Sequence, residues 1–124
     1  MILVETFLRY VFSAFFIFAG ITHFTNPSIY DALVPNYLPS PRLMHSLAGL
    51  SEIVLGLSLL TKWKSQGALF LAIFLAIVYL GNLHMWINDV PFLGNTLTTS
   101  GHITRLIIQI GMILYSLYIW KAYE

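Results

Sequence analysis

Four apolar runs, at roughly residues 3–23, 43–60, 66–87 and 102–120, limit what this 124-residue chain can fold into more than any motif does. Each is close to the ~20 residues that carry a helix across ~30 Å of hydrocarbon. Their many Val, Ile and Phe residues would favour strands in water. In lipid a lone strand leaves its backbone polar groups unsatisfied, whereas a helix satisfies them internally, so the environment selects helix. Composition agrees: 58% of residues are hydrophobic, 9% are charged and the mean hydropathy is +0.80, against ~25% charged for a soluble domain. The expected fold is all-α, an integral membrane four-helix up-down bundle forming one domain over residues 1–124. Short connections make successive helices antiparallel.

Several function classes fall away at this stage. The net charge of +1 comes with no basic tract that could follow a phosphate backbone, so nucleic acid is not an expected partner. The chain has no cysteine, which removes disulfides, thiol relays and thiolate metal sites. The first run lacks a basic leading segment and a small-residue cleavage site near Ala19-Gly20, so it reads as a retained helix. Lys62 and Lys64 in the second loop and Lys121 near the C-terminus outweigh Arg42 at the edge of the first loop, which places both termini in the cytoplasm.

The connections carry their own signals. Ser40-Pro41 is an N-cap and N1 pair for the second helix, and Ser100, after Thr98-Thr99, opens the fourth. Asn26-Pro27 starts a short helix to about Val34, with Pro35 and Pro39 limiting it. This first loop is too apolar to be a free linker and is expected to lie over the bundle as a lid. The third loop, with Pro91, Phe92, Leu93 and Gly94, is expected to do the same. Tyr30, Tyr37 and Trp86 suit the headgroup region. Gly49 and Gly56 keep one face of the second helix slender for close packing, and Gly67 permits a tight turn into the third.

Because alternate helices run in opposite directions, the polar residues inside these runs gather in one leaflet. His23 ends the first run, His45 and Glu52 lie early in the second, Asn82 and His84 late in the third, and His102, Arg105 and Gln109 early in the fourth. Ionisable groups at membrane depth are costly and usually face a bundle interior or cavity, which makes this cluster the candidate site. Glu52 and Arg105 would each be expensive alone, and pairing them solves both desolvation problems. Such a pair serves either as a clamp between helices or as part of a ligand site. His102, Arg105 and Gln109, at i, i+3 and i+7, share a helical face. Asn82 is expected inside the bundle and His84 at the rim, within i+4 reach of Asn88, while His45 is expected at an entrance or interface. His23 can serve in proton transfer or in bonding the first loop. No haem-attachment motif, H-E-x-x-H pair or compact ligand set is present, so no metal site is expected. Ser46 and Ser100 have no Ser–His–acid arrangement.

The order of these patches resembles the DoxX-like family of small bacterial and archaeal membrane proteins. The resemblance rests on Ala19-Gly20-Ile21-Thr22-His23-Phe24 with Pro27 and Tyr30, on Val34-Pro35 with Leu38-Pro39, and on Gly49-Leu50-Ser51-Glu52-Ile53-Val54-Leu55-Gly56. Gly81-Asn82-Leu83-His84-Met85 and Arg105 with Gln109 complete it, so that it covers nearly the whole chain. It implies a four-helix bundle in the bacterial or archaeal cytoplasmic membrane and, from some members, a quinone-linked oxidoreductase subunit. On that reading His23, Glu52 and Arg105 carry proton transfer and anion stabilisation, and Asn82, Gln109, His84, His102 and Tyr30 bind the ligand. The cofactor implied is a quinone; the expected partners are membrane lipids, a redox protein to supply electrons, and further copies of the chain. The competing expectation is a non-enzymatic protein of lipid or small-molecule binding, transport or complex assembly.

Overall fold

The computed structural model describes residues 2–91 and 95–124. Among them the chain is all-α, with five helices: α1 Ile2–Thr25, α2 Pro27–Asp31, α3 Pro41–Ser58, α4 Lys64–Asn88 and α5 Thr99–Tyr123. Three of these, α1, α4 and α5, are long and apolar enough to cross a membrane. α3 is not among them. Its 18 residues include Arg42, His45 and Glu52, so of the four expected spans three are membrane-length apolar helices and the fourth is a shorter, more polar companion.

Cross-helix contacts define the topology. Gly20 faces Gly49 and Gly56 faces Ser13, so α1 and α3 run antiparallel. Ser65 bonds the carbonyl of Trp120 and Gln109 that of Leu75, which makes α4 and α5 antiparallel as well. The turn from α3 to α4 closes with Gly67 against Ser58: a Cβ at Gly67 would lie 1.9 Å from the serine oxygen. Tyr123 donates to Glu5, so the two ends of the chain meet at the same end of the bundle. The α1–α3 and α4–α5 pairs are each tightly packed. Between α1 and α5, in contrast, no Cα atoms of the described residues approach within 8 Å. Those two helices meet through side chains, as where the rings of Phe12 and Tyr115 form an edge contact at 4.9 Å.

Burial is distributed as membrane immersion requires. Large apolar residues such as Leu3, Phe7, Phe18, Phe70, Ile77, Ile107 and Leu114 point outward, while Ser13, His45, Ser65, His102, Gln109 and Ser116 are buried. An apolar exterior this extensive would aggregate in water and is what a lipid-facing surface needs. The chain is a multi-pass membrane protein in contact with lipid. Its apolar core, Phe16, Leu59, Ala68, Leu71, Leu75 and Ile119, fills the half of the bundle near the termini. There two buried polar side chains reach across helices, Ser13 to the carbonyl of Gly56 at 2.6 Å and Arg9 to that of Leu59 at 2.7 Å. With no competing water, such bonds hold membrane helices together.

Local signals fared unevenly. Pro41 opens α3, but Ser40 has φ 44° and makes no side-chain cap. Its backbone is left-handed there, not in the extended conformation from which an N-cap side chain reaches the helix amides. At α5 the cap is Thr98, which accepts from the Gly101 amide at 3.1 Å, so the helix begins before Ser100. α2 stops at Asp31, short of Val34. The chain from Pro27 to Leu38 nonetheless forms the expected lid, with the carbonyl of Leu33 resting close to Gly81 of α4. The expectation for Phe92, Leu93 and Gly94 lies outside the described residues.

Candidate functional site

At the end of the bundle away from the termini, the α1–α3 and α4–α5 pairs separate beneath the lid and enclose a cavity of about 420 Å³. All five helices line it. Most of the wall is apolar, from Phe16, Leu33, Val34, Pro35, Met44, Phe74, Val78 and Met112. Its polar groups are His23, Tyr30, His45, Glu52, Asn82, Arg105 and Gln109. Helix direction therefore brings together six of the eight expected site residues, His23, Glu52, Arg105, Asn82, Gln109 and Tyr30.

The partners differ from those expected. Instead of a direct Glu52–Arg105 pair, Glu52 Oε1 is hydrogen bonded to His23 Nε2 at 3.1 Å, and Arg105 donates to Asn82 Oδ1. The cause lies in the helix pairing. Gly20 and Gly49 let the α1 and α3 backbones touch, and a Cβ on Gly49 would stand 2.6 Å from that of His23. That contact delivers the imidazole to a carboxylate one turn further along α3. Arg105 is left on the α4–α5 side, where the Asn82 carbonyl is at hand. Gln109 is buried, and its amide is committed to the carbonyl of Leu75 at 2.7 Å.

His45, expected at an entrance or interface, lies at the interface of α3 with the lid. It is 4% exposed, lines the cavity and bonds through Nε2 to Asp31 Oδ1 at 2.7 Å. Asp31, at the end of α2, also receives Nε and Nη2 of Arg42, at 3.0 and 2.7 Å. The Arg42 guanidinium, and then His45, hold the Asp31 carboxyl down to about 2, against the opposing effect of desolvation. Tyr30 stacks on His23 with ring centroids 3.8 Å apart, and its hydroxyl shares a hydrogen bond with Thr22 at 2.6 Å. The lid is thus latched to α1 by Tyr30 and to α3 by Asp31.

Two expected ligand residues lie outside the cavity lining. His102 is buried but stacks on Trp86, with centroids 5.3 Å apart and planes 7° apart. His84 Nδ1 accepts from the Asn88 amide at 3.1 Å, the i+4 pairing its spacing suggested. Asp31 and Arg9 were missed. Asp31 is the one acid in the first loop, with two candidate cations, Arg42 and His45, at the start of the helix that follows, and that pattern could have flagged it. Arg9 belongs to the other end, where it bonds Glu5 at 3.2 Å and the carbonyl of Leu59. Among the described residues no three His, Cys, Asp or Glu side chains converge as a metal site.

The fold and its cavity define a helical membrane bundle with a partly polar chamber at one end. Over residues 12–120 the chain matches the family described as a domain of unknown function, DUF8561, and it belongs to that family. No curated protein and no solved structure matches it significantly.

Proposed function

We propose that this chain is a small membrane subunit that binds a quinone-like, carbonyl-bearing amphiphile in the cavity, within a membrane oxidoreductase system. The observation that carries this reading is an apolar chamber of about 420 Å³ with His23 and Glu52 on one wall and Arg105 with Asn82 on the other. Ligand sites are commonly ~300–1,000 Å³, largely apolar, with a few converging polar groups. Phe16, Phe74 and Tyr30 offer ring surfaces to a flat head, Arg105 offers a donor fork to a carbonyl, and His23 with Glu52 offers a proton-transfer pair. These residues fit a quinone, which when bound accepts two electrons and two protons. The resemblance to DoxX-like proteins supports the same class. A partner protein would supply the electrons, since without cysteine this chain has no thiol or thiolate-held cluster to carry them. The site then belongs to the outer leaflet of a bacterial or archaeal cytoplasmic membrane, with both termini cytoplasmic, as the Lys62, Lys64 and Lys121 bias favours.

A second reading is favoured by a specific observation: the polar groups already bridge helices, His23 to Glu52, Arg105 to Asn82 and Gln109 to Leu75. On that reading they brace a chamber for a lipid or other small molecule in transport or assembly. Titration of the purified chain with an oxidised short-chain quinone, followed by tryptophan fluorescence, separates the two. Saturable binding should weaken by about tenfold or more in Arg105→Gln, the loss of one charged hydrogen bond. Absence of saturable binding, or binding unchanged in a folded Arg105→Gln, rejects the quinone reading in favour of the second.

A further inference from the structure

His23 and His45 share an arrangement that ligand binding does not require. Both are more than nine-tenths buried, at 7% and 4% exposure, and each presents Nε2 to a carboxylate, Glu52 and Asp31 respectively. Their rings lie 5.5 Å apart and both pack on Tyr30, at 3.8 and 5.7 Å. Both Nδ1 atoms are buried and have no hydrogen-bond partner in the protein. A carboxylate only accepts, so in a neutral ring Nε2 carries the proton and Nδ1 is a bare acceptor. Two bare acceptors on neighbouring buried rings are costly unless satisfied. One water, with two O–H donors, is the smallest partner that would satisfy both at once.

We propose that Asp31, His45, His23 and Glu52 form a proton path from the outer surface of the lid to the cavity, completed by one water between the two Nδ1 atoms. The path begins in the open, because the Asp31 side chain is 33% exposed while that of His45 is 4% exposed. It ends at Glu52, which lines the cavity. A proton taken up by Asp31 passes to Nε2 of His45 when that ring is in its Nδ1–H form. The Nδ1 proton leaves through the water to Nδ1 of His23, and the Nε2 proton of His23 passes to Glu52 or to an anionic oxygen in the cavity. Only N–H and O–H bonds are made and broken, no electron moves, and tautomer exchange in both rings resets the path. The charged and titratable groups around it are Tyr30 and Asp31 from α2, Arg42, His45 and Glu52 from α3, and Arg105 from α5; α4 contributes the neutral Asn82. Arg42 holds the outer carboxylate in place, and Tyr30, itself part of the lid, stacks on His23 and packs at a tilt against His45.

The inference rests on the cavity being a binding site, though not on the identity of its occupant. Its test therefore needs no quinone, and failure of the quinone titration would leave it standing. The full chain, with ¹⁵N-labelled histidine, is placed in lipid nanodiscs, and exchange of the His23 imidazole proton with water is followed by NMR. His45→Phe, which preserves ring volume, should slow that exchange by about a hundredfold, the lower end of what a positioned proton-transfer group contributes. Asp31→Asn, which leaves both rings in place, should slow it as well and decides the matter if His45→Phe does not fold. An unchanged rate in these variants would show that His23 exchanges through the cavity, and a faster rate would show that His45 is a plug. Either result overturns the proposal.

Discussion

Gly49→Ala is the substitution that most directly tests how α1 and α3 hold the site. The new Cβ would stand 2.6 Å from His23 Cβ, 2.9 Å from His23 Cγ and 3.0 Å from the Gly20 carbonyl oxygen. Non-bonded carbon atoms rest at ~3.5–4.0 Å. The obstacles are a Cβ and a backbone oxygen, which cannot swing aside, so the helices must part by about 1 Å. Overpacking of this kind costs ~1–3 kcal/mol. The same displacement would stretch the 3.1 Å His23–Glu52 contact beyond hydrogen-bond range, adding ~0.5–1.5 kcal/mol. Against this stands the ~1 kcal/mol by which alanine is the better helix former. The net expectation is a loss of about 1–3 kcal/mol. Gly111→Ala supplies the control, because a Cβ there meets nothing within 4 Å and only the propensity gain applies. Reversible unfolding of both variants in mixed micelles, monitored by far-UV circular dichroism, should give a lower midpoint for Gly49→Ala and an equal or higher one for Gly111→Ala. Equal midpoints would refute the close α1–α3 crossing and, with it, the account of how His23 reaches Glu52.

Arg9→Met keeps the buried stem but removes the donor to the Leu59 carbonyl; we expect a loss of about 1–3 kcal/mol in the same assay, the cost of an unsatisfied buried acceptor, and an unchanged midpoint would show that the contact contributes nothing. Asp31 has a depressed carboxyl in the folded lid, from 3.8 to about 2, so its stabilisation of the lid is complete above its unfolded value and is lost as pH falls through the folded one. Amide exchange in α2 should therefore rise as pH is lowered from about 4 towards 2, after correction for intrinsic exchange, and this rise should vanish in Asp31→Asn; a rise that persists in Asp31→Asn would point to another group. Single cysteines at Lys62 and Lys121 should react with an impermeant maleimide only after the cytoplasmic face is opened, and labelling of intact cells at either position would invert the topology.

The helices and their common polar end were legible because lipid leaves the chain little choice: long apolar runs must be helical, and alternating direction then decides which residues share a leaflet. The small residues of α3 were also legible, and matching them with Gly20 and Ser13 would have paired α3 with α1. Partner choice was harder to read. Charge arithmetic favoured Glu52 with Arg105, but a side chain bonds what the backbone brings near, and the glycine crossing brings His23. The partner of His45 was not read because it sits 14 residues away, at the end of a helix of only five residues. Arg9 was missed for a different reason. It bonds a main-chain carbonyl, and every residue has one of those. The α3 span was overstated because residues 43–60 omit Arg42 and extend past Ser58, which makes the run look more apolar than the helix that forms.

The bundle is effectively two leaves. Each leaf, α1 with α3 and α4 with α5, is fastened internally by backbone-close packing, while the seam between α1 and α5 consists of side chains alone. Its outer surface is a wholly apolar furrow lined by Leu8, Val11, Phe12, Phe15, Ile108, Met112 and Tyr115, and Met112 also borders the chamber. Spreading the leaves there would break no main-chain hydrogen bond and would bring the chamber towards acyl chains instead of water. A guest dissolved in the bilayer could then arrive sideways, through a doorway whose width is set by the size of a few side chains, with the latched lid undisturbed above it. Related chains could change what they admit by trading Phe12 or Met112 for smaller or larger residues, without touching the glycines that hold each leaf together.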